Sequence, residues 1–566
     1  MDGNLGSAQI DRWSRSLLLV AIVSCVIGIY MYPLALPTPL MDPDEGIHAT
    51  IAQEMVERGD YFIPRYLGVP FRDKPILYSA AQAVSLRIFG MNEAAVRLPG
   101  FLFALLGCAT TTLLARRMFD AECAIYAALA SLTLVLPAVL TQGPTHDVAL
   151  VPFINLFVLS FWEQETAINA RRRWIWVAVM SVSVALAILT KGLIGLAVIA
   201  PGIAAYALLT RKLSRKLIVR CTLALFIGGL AASPWFIAME RVSPGYLYYY
   251  FIDRHLLGFV TEGQQHGDSA WYYYVGPVLG GAMPWLMFAL AGVLQYRRDD
   301  RHLRNPATML LACWFVGGFM FLCVAGSKLL TYSLPLFPPV AVLAGVGFRR
   351  LFRNELAPIL RRLFVNTFRL VSVFGVLSPV AVLLVLHYFL KAPSPPIAYV
   401  VGFLASAAMA AGLVLMERGY ARAALAVGMM WFPLVFVTVM TWPVQILAAE
   451  NAQKALAEMI NAQNEHAPHD LVLVGQRVGS VVFYLSPAKR ELLQNGKMWE
   501  DKEFKLEGLL PPPAGTFVAI RDEQLRRHKR VDEIKRYHPM TAGPFHVIVP
   551  RIDDARVAER PDRKTQ

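Results

Sequence analysis

Charge is the first thing this chain is short of: Asp, Glu, Lys and Arg make up only 17% of its 566 residues, where about 25% is ordinary. That excludes a soluble globular enzyme with one added anchor. Cysteine is scarcer still. The six (Cys25, Cys108, Cys123, Cys221, Cys313, Cys323) fall in or beside apolar runs and lack metal-type spacing. No disulfide framework is expected, even for segments in an oxidising compartment. A glycine-rich phosphate loop is missing as well, so no nucleotide-binding loop is indicated. There are no convincing repeats or matching halves of the kind that mark many secondary transporters. Low complexity is confined to Pro511-Pro512-Pro513.

What is abundant is apolar surface. Hydrophobic residues are 56% of the chain and the mean hydropathy is +0.47, too apolar for a disordered chain. Crossing a bilayer takes about 20 residues of helix. Thirteen runs qualify, near 17–39, 94–115, 121–141, 147–162, 174–190, 192–210, 217–238, 271–295, 307–326, 329–348, 366–390, 397–416 and 423–446. The first reads as a retained signal anchor. The predicted fold is mainly α: a polytopic transmembrane bundle with external juxtamembrane helices and a small α/β tail.

Lys and Arg exceed Asp and Glu by 14, a surplus that on a soluble chain would suggest nucleic acid. Here it has a topological explanation. Alternate loops collect 24 of the cations, in clusters such as Arg171-Arg172-Arg173 and Arg349-Arg350. Short loops rich in Lys and Arg stay in the cytoplasm. The N-terminus is therefore expected in the cytoplasm. The loops 40–93 and 239–270 and everything after about 447 are expected on the external side. The expected domains are a membrane domain, 1–446, and a soluble external tail, 447–566. In the tail 470–475, 516–521 and 545–550 read as strands, and 451–461 and 523–534 have helical spacing.

The chemistry is concentrated outside. The first loop opens Met41-Asp42-Pro43-Asp44-Glu45-Gly46-Ile47-His48 and ends Phe71-Arg72-Asp73-Lys74-Pro75. Ile47, Ile51 and Met55 give 46–58 the spacing of a helix lying along the membrane surface. Asp44 and Glu45 at its start suit either helix capping or a working carboxylate. Asp147, in Thr145-His146-Asp147, is an N-cap or part of a polar cavity. Lys191 and Lys328 stand on the side otherwise emptied of short-loop cations; they either snorkel to the interface or attract a phosphate. The run Tyr246, Tyr248, Tyr249, Tyr250, Phe251 suits a water–lipid boundary. Asp73 and His255 are a weak candidate pair for a divalent metal, and no cofactor is otherwise indicated.

Four stretches in order resemble the GT-C-type, lipid-dependent membrane glycosyltransferases, in the branch of the bacterial aminoarabinose transferases and the polyprenyl-phosphate-mannose protein mannosyltransferases. They are Asp44-Glu45 with Gln53-Glu54-Met55 and Gly59-Asp60; Phe71-Arg72-Asp73-Lys74-Pro75; Pro234-Trp235-Phe236 with Tyr250-Phe251-Ile252-Asp253-Arg254-His255; and Ser327-Lys328-Leu329-Leu330-Thr331-Tyr332. The resemblance covers about 17–348. It implies a polyprenyl-phosphate sugar as donor and lipid A, another glycolipid, a glycan or a protein as acceptor, with no nucleic acid involved. It makes Asp44 the base or acceptor-orienting carboxylate, with Asp147, Glu45 and His48 around acceptor or sugar. Lys74, Arg72, Lys191, Lys328 and Arg254 are the cations for the lipid phosphate, with Asp73, His255 and Tyr332 beside them. The chain departs from the pattern at Ile47-His48, where an Arg-Tyr is usual, at Asp73 in place of Glu, at Arg254-His255 in place of an acidic residue and His, and at Gly258 in place of Arg. A transporter or a non-catalytic membrane protein would leave the loop carboxylates idle.

Overall fold

The computed structural model describes residues 2–143, 145–257, 270–299, 305–391, 395–463, 470–474, 479–493, 516–527 and 539–548. Gly258, Pro511-Pro512-Pro513, and parts of the expected elements 470–475, 523–534 and 545–550 lie outside them.

All thirteen apolar runs are helical. Ten helices among the described residues are long and apolar enough to span a membrane, from Trp13–Ala35 to Ala421–Asn451. Two further apolar helices, Val275–Ala282 and Trp285–Arg298, meet at 91° as a broken span or a re-entrant loop, with Pro284 at the N-cap of the second. The other two runs form helices of 13 residues, Ala121–Thr133, and 16 residues, Ile194–Leu209. The first of these stops at Leu134, whose extended backbone separates it from Val135–Leu140.

Side chains supply the polar partners that lipid cannot offer to the ends of these helices. Asp120, Asn169, Ser214 and Asn305 accept from the backbone N–H of Cys123, Arg172, Leu217 and Ala307. The arginine-rich ends are also stitched together. Arg172 pairs with Glu163, Arg220 with Glu165, Arg349 with Asp120, and Arg353 with both Asp120 and Glu122. Arg350 and Asp299 form a nearly buried pair at 2.6 Å. The basic clusters thus bind neighbouring helices together.

The chain forms two compact units. One is the helical bundle: Met1–Leu36, Arg72–Tyr78 and Arg97–Pro443. The other gathers Pro37–Phe71, Ser79–Val96 and Val444–Gln566, so most of the segment 40–93 groups with the tail. In this second unit the helix Asp44–Arg58 buries Ile51 and Met55, as its spacing predicts, and ends at Gly59. A short hairpin follows, β1 (Arg65–Tyr66) and β2 (Val69–Pro70). The tail carries a four-stranded sheet in the order β3 (Asp470–Leu473), β4 (Thr516–Arg521), β6 (Phe545–Ile548), β5 (Met540–Ala542). β3 and β4 are parallel and the other pairs antiparallel. Helices Lys454–Ala462 and Asp522–Arg527 accompany the sheet. The α/β character expected of the tail is therefore present, with β5 as an additional short strand.

Candidate active site

The bundle holds an open cavity of about 640 Å³ whose walls bring together Asp73, Lys74, Lys191, Arg254, His255 and Tyr332. These six come from four places in the chain. Lys74 lies in the bend ahead of the helix Ile76–Phe89. Lys191 ends the helix Ala170–Lys191. Arg254 and His255 sit on the π-helical segment Tyr248–Leu257. Tyr332 belongs to the 3-10 segment Leu330–Leu336.

Gly192 makes the junction. It has φ +79°, and a Cβ there would stand 2.5 Å from Tyr250 Oη and 2.9 Å from His255 Nε2. Any other residue would be strained in this backbone and would push the aromatic wall away. That wall is a packed series: Trp235 meets Tyr246 edge-on at 5.8 Å, Tyr246 stacks on Tyr250 at 5.4 Å, and Tyr250 meets the His255 ring at 4.5 Å. The aromatic run is therefore largely bundle packing, with Tyr250 also lining the cavity.

Most charges in the cavity are held. Lys191 forms a buried ion pair with Asp147 and lies 4.0 Å from the centre of the Tyr332 ring. Asp147 is therefore neither a helix cap nor a free base; its carboxylate fixes the lysine. Arg254 Nη1 stands 3.1 Å from Asp73 Oδ1, and Tyr249 Oη donates to the same oxygen at 2.6 Å. Arg72 donates to the Gly245 carbonyl at 3.1 Å and its guanidinium covers the Tyr249 ring at 4.4 Å, bracing Tyr249 from outside the cavity wall. His255 Nδ1 is 2.6 Å from the Tyr250 carbonyl. Burial, opposed by hydrogen bonds to the Tyr250 and Lys191 backbone, lowers its pKa, with Lys74 and Arg254 adding repulsion. His255 is therefore neutral at pH 7.

Lys74 differs. It has no hydrogen-bond or ion-pair partner among the described residues. Its ammonium is pushed down to about 8 by burial and then by the charges of Lys191 and Arg254. Three cations face two carboxylates, and both carboxylates are already paired. The surplus positive charge therefore falls on the one ammonium that nothing holds.

Lys328 is placed differently from the other expected cations. It is buried and donates to the Ala325 carbonyl at 2.6 Å, near the end of the helix Pro306–Val324. Its neighbour Ser327 lines the cavity, with an Oγ that has no hydrogen-bond partner among the described residues. Charge patterning does not single out Ser327, Tyr249 or Tyr250; the motifs contain Ser327 and Tyr250, and the aromatic run contains Tyr249. Among the described residues no three His, Cys, Asp or Glu side chains converge as metal ligands. Asp73 and His255 are engaged with the partners given above.

The remaining expected residues sit in the other unit, on the first turns of Asp44–Arg58. Asp44 is exposed and has no hydrogen bond or ion pair among the described residues. Glu45 is buried and accepts from the Met41 backbone N–H at 2.7 Å, a capping arrangement. The His48 ring meets Phe71 edge-on at 6.1 Å. Asp42 is the residue that sequence reasoning passes over: its carboxylate is tied to Ser480 and Gln453.

Comparison with known proteins bears on the fold. The sequence profile of the dolichyl-phosphate-mannose-protein mannosyltransferase family matches residues 73–237. A protein of Proteus mirabilis named undecaprenyl phosphate-alpha-4-amino-4-deoxy-L-arabinose arabinosyl transferase 2 is 32% identical over 365 residues, covering 63% of each chain. A protein of Erwinia tasmaniensis, named as the corresponding arabinosyl transferase, is 29% identical over 387 residues, 66% of each chain. The alignments thus span less than two thirds of these relatives. The crystal structure of ArnT from Cupriavidus metallidurans superposes with a TM-score of 0.72 at 21% identity, over 95% of this chain and 98% of that one. A second crystal structure of that protein, bound to undecaprenyl phosphate, gives the same TM-score. The fold expected from the motifs and the resemblance to GT-C-type, lipid-phosphate-dependent glycosyltransferases are both borne out.

Proposed function

We propose that this multi-pass membrane protein of GT-C fold moves a sugar from a polyprenyl-phosphate donor to an acceptor in the cell envelope. The sugar is in first place an aminoarabinose-type pentose and the acceptor lipid A. One observation carries the reading: Lys74 is an unpartnered ammonium kept below its usual pKa beside Lys191 and Arg254. In a polyprenyl-phospho-sugar the lipid phosphate is the leaving group and gains negative charge as the bond to the sugar breaks. Cations fixed in advance stabilise that charge without reorganising. Lys191 and Arg254, held by Asp147 and Asp73, provide the frame, and Lys74 supplies the charge that still lacks a counterion.

In the proposed step the acceptor oxygen attacks the anomeric carbon opposite the phosphate. A new C–O bond forms, the C–O bond to phosphate breaks, and configuration inverts. Asp44 orients the acceptor or takes its proton. That assignment is supported by the order of the sequence motifs and by the side chain's exposure. An acceptor phosphate already ionised near pH 7 leaves little proton to remove, so the carboxylate's task there is to orient it. Arg72 acts at one remove, by bracing Tyr249 under Asp73, while Lys328 supports the turn that carries Ser327. The site and the C-terminal domain face the periplasm of the inner membrane, an orientation supported by the distribution of the basic loops. The profile match over 73–237 favours a second reading, transfer of mannose to protein.

Purified full-length protein in proteoliposomes, given polyprenyl-phosphate aminoarabinose and lipid A, should yield modified lipid A detectable by mass spectrometry. Failure with that pair, together with glycopeptide formation from a polyprenyl-phosphate hexose, would transfer the proposal to the second reading.

A further inference from the structure

An Asp just ahead of a helix ordinarily turns back onto that helix's own amides. Asp42 does not. The helix Asp44–Arg58 has Pro43 at its N-cap and no side-chain cap, while the Asp42 carboxylate reaches into the C-terminal segment of the same compact unit. Oδ1 accepts from the Ser480 backbone N–H at 2.5 Å, and Oδ2 accepts from Ser480 Oγ at 2.6 Å and from the Gln453 backbone N–H at 3.2 Å. The Gln453 side chain completes the ring, its Oε1 accepting from the backbone N–H of Gly479 at 3.1 Å and of Val481 at 3.3 Å. The approach is so close that a Cβ on Gly479 would lie 1.9 Å from Asp42 Oδ1. Nearby, the Leu40 N–H donates to Tyr484 Oη at 2.8 Å, and that hydroxyl donates to Glu93 at 3.0 Å. Residues 40–42 are thus gripped at two points by the stretch 479–484.

Burial pushes the Asp42 carboxyl up to about 6, opposed by hydrogen bonds from Ser480 and Gln453 and by the charge of Arg521. It is therefore ionised at neutral pH and accepts from all three donors, bonds that charge makes strong.

We propose that Asp42 is a positioning residue through which the C-terminal domain sets the stance of Asp44. The inference rests on the assignment of Asp44 above. Asp44 has no side-chain partner among the described residues, so the backbone at 42–45 decides where its carboxylate stands. That backbone is tied down by Ser480, Gln453 and Tyr484, and Glu45 adds a bond from the Met41 N–H. The C-terminal domain thereby acquires a role in catalysis without touching substrate. A misplacement of about 1 Å costs on the order of a hundredfold in rate.

The test uses the full-length protein in proteoliposomes and compares Asp42→Asn, Ser480→Ala, Ser480→Thr and Asp44→Asn for kcat, KM and thermal unfolding. Asp42→Asn should lower kcat by roughly ten- to a hundredfold with the donor KM within about twofold. Ser480→Ala should do the same more mildly, because the Ser480 N–H remains, and Ser480→Thr should restore kcat by returning the hydroxyl. Folded Asp42→Asn and Ser480→Ala proteins with native kcat, beside an inactive Asp44→Asn protein, would overturn the positioning role. Normal turnover by Asp44→Asn would instead overturn the assignment of Asp44. If Asp42→Asn does not fold, the Ser480 pair decides alone.

Discussion

The Lys74 cavity and the first turn of Asp44–Arg58 are both charged, but they solve different problems. In the cavity, positive charge must be gathered against its own repulsion. Lys191 is neutralised by Asp147, and Arg254 by Asp73 with help from Tyr249. On the helix, negative charge must stay accessible. Asp42 and Glu45 are engaged with Ser480, Gln453 and Met41, and Asp44 is left exposed. Each region holds its framing charges firmly and leaves one untied: Lys74 in the first, Asp44 in the second. A group that must meet substrate cannot have its charge consumed by a permanent partner. The groups around it can, and they keep their geometry because of it.

The comparison breaks if the untied charges prove dispensable. The largest expected effect is on Asp44: Asp44→Asn should lower transfer by about 10²–10⁴-fold, the usual contribution of a positioned proton acceptor, with binding of polyprenyl phosphate unchanged. Turnover assays paired with a lipid-binding measurement check this. Next comes the frame. Asp147→Ala leaves the Lys191 ammonium buried without its counterion and should destabilise the bundle by about 3–5 kcal/mol, read as a fall in the detergent melting temperature. The combined change Asp147→Leu with Lys191→Met should recover most of the loss, because an apolar pair can replace a buried ion pair. Recovery without activity would separate the frame's stability from its chemistry. Lys74→Ala should have the opposite profile: little change in melting, and donor affinity weaker by about ten- to a hundredfold, the value of about 1.5–3 kcal/mol in a charge-assisted contact. Equal affinity would mean the ammonium only anchors its loop.

How much of this was legible in the sequence depends on the range of the interaction. Lys74, Lys191, Arg254, His255 and Tyr332 could be named because motif order and isolated charge are local signals, and the cavity does bring them together. Asp73 and Asp147 could be named too, but not which cation each would hold. Asp147 and Lys191 lie 44 residues apart and Asp42 and Ser480 are separated by 438; no periodicity marks a hydrogen bond across such distances. Lys328 shows the same limit. Its isolation left snorkelling and phosphate attraction equally open, and its bond to the Ala325 carbonyl is a contact that no pattern in the sequence marks. The spans were readable because hydropathy is additive along the chain. The breaks at Leu134 and Pro284 were not, because they depend on local backbone geometry within runs that remain apolar throughout.

The smallest effect is also the most discriminating. Lys74 carries its proton below about 8, so its charge fades as pH rises from 7 to 9. The donor's phosphate remains ionised over that range. The apparent kcat/KM for the donor, which reports ionisations of the free enzyme, should therefore fall by up to about tenfold between those pH values. The rate at saturating donor should fall less, since bound phosphate favours the charged lysine and raises its pKa by linkage. Lys74→Arg tests the origin of the drop. A guanidinium stays protonated throughout, so its profile should be flat across the same window, at whatever level its different shape allows. If the arginine protein keeps the native decline, the titrating group is elsewhere, and Lys74 loses its place as the charge left free for the phosphate.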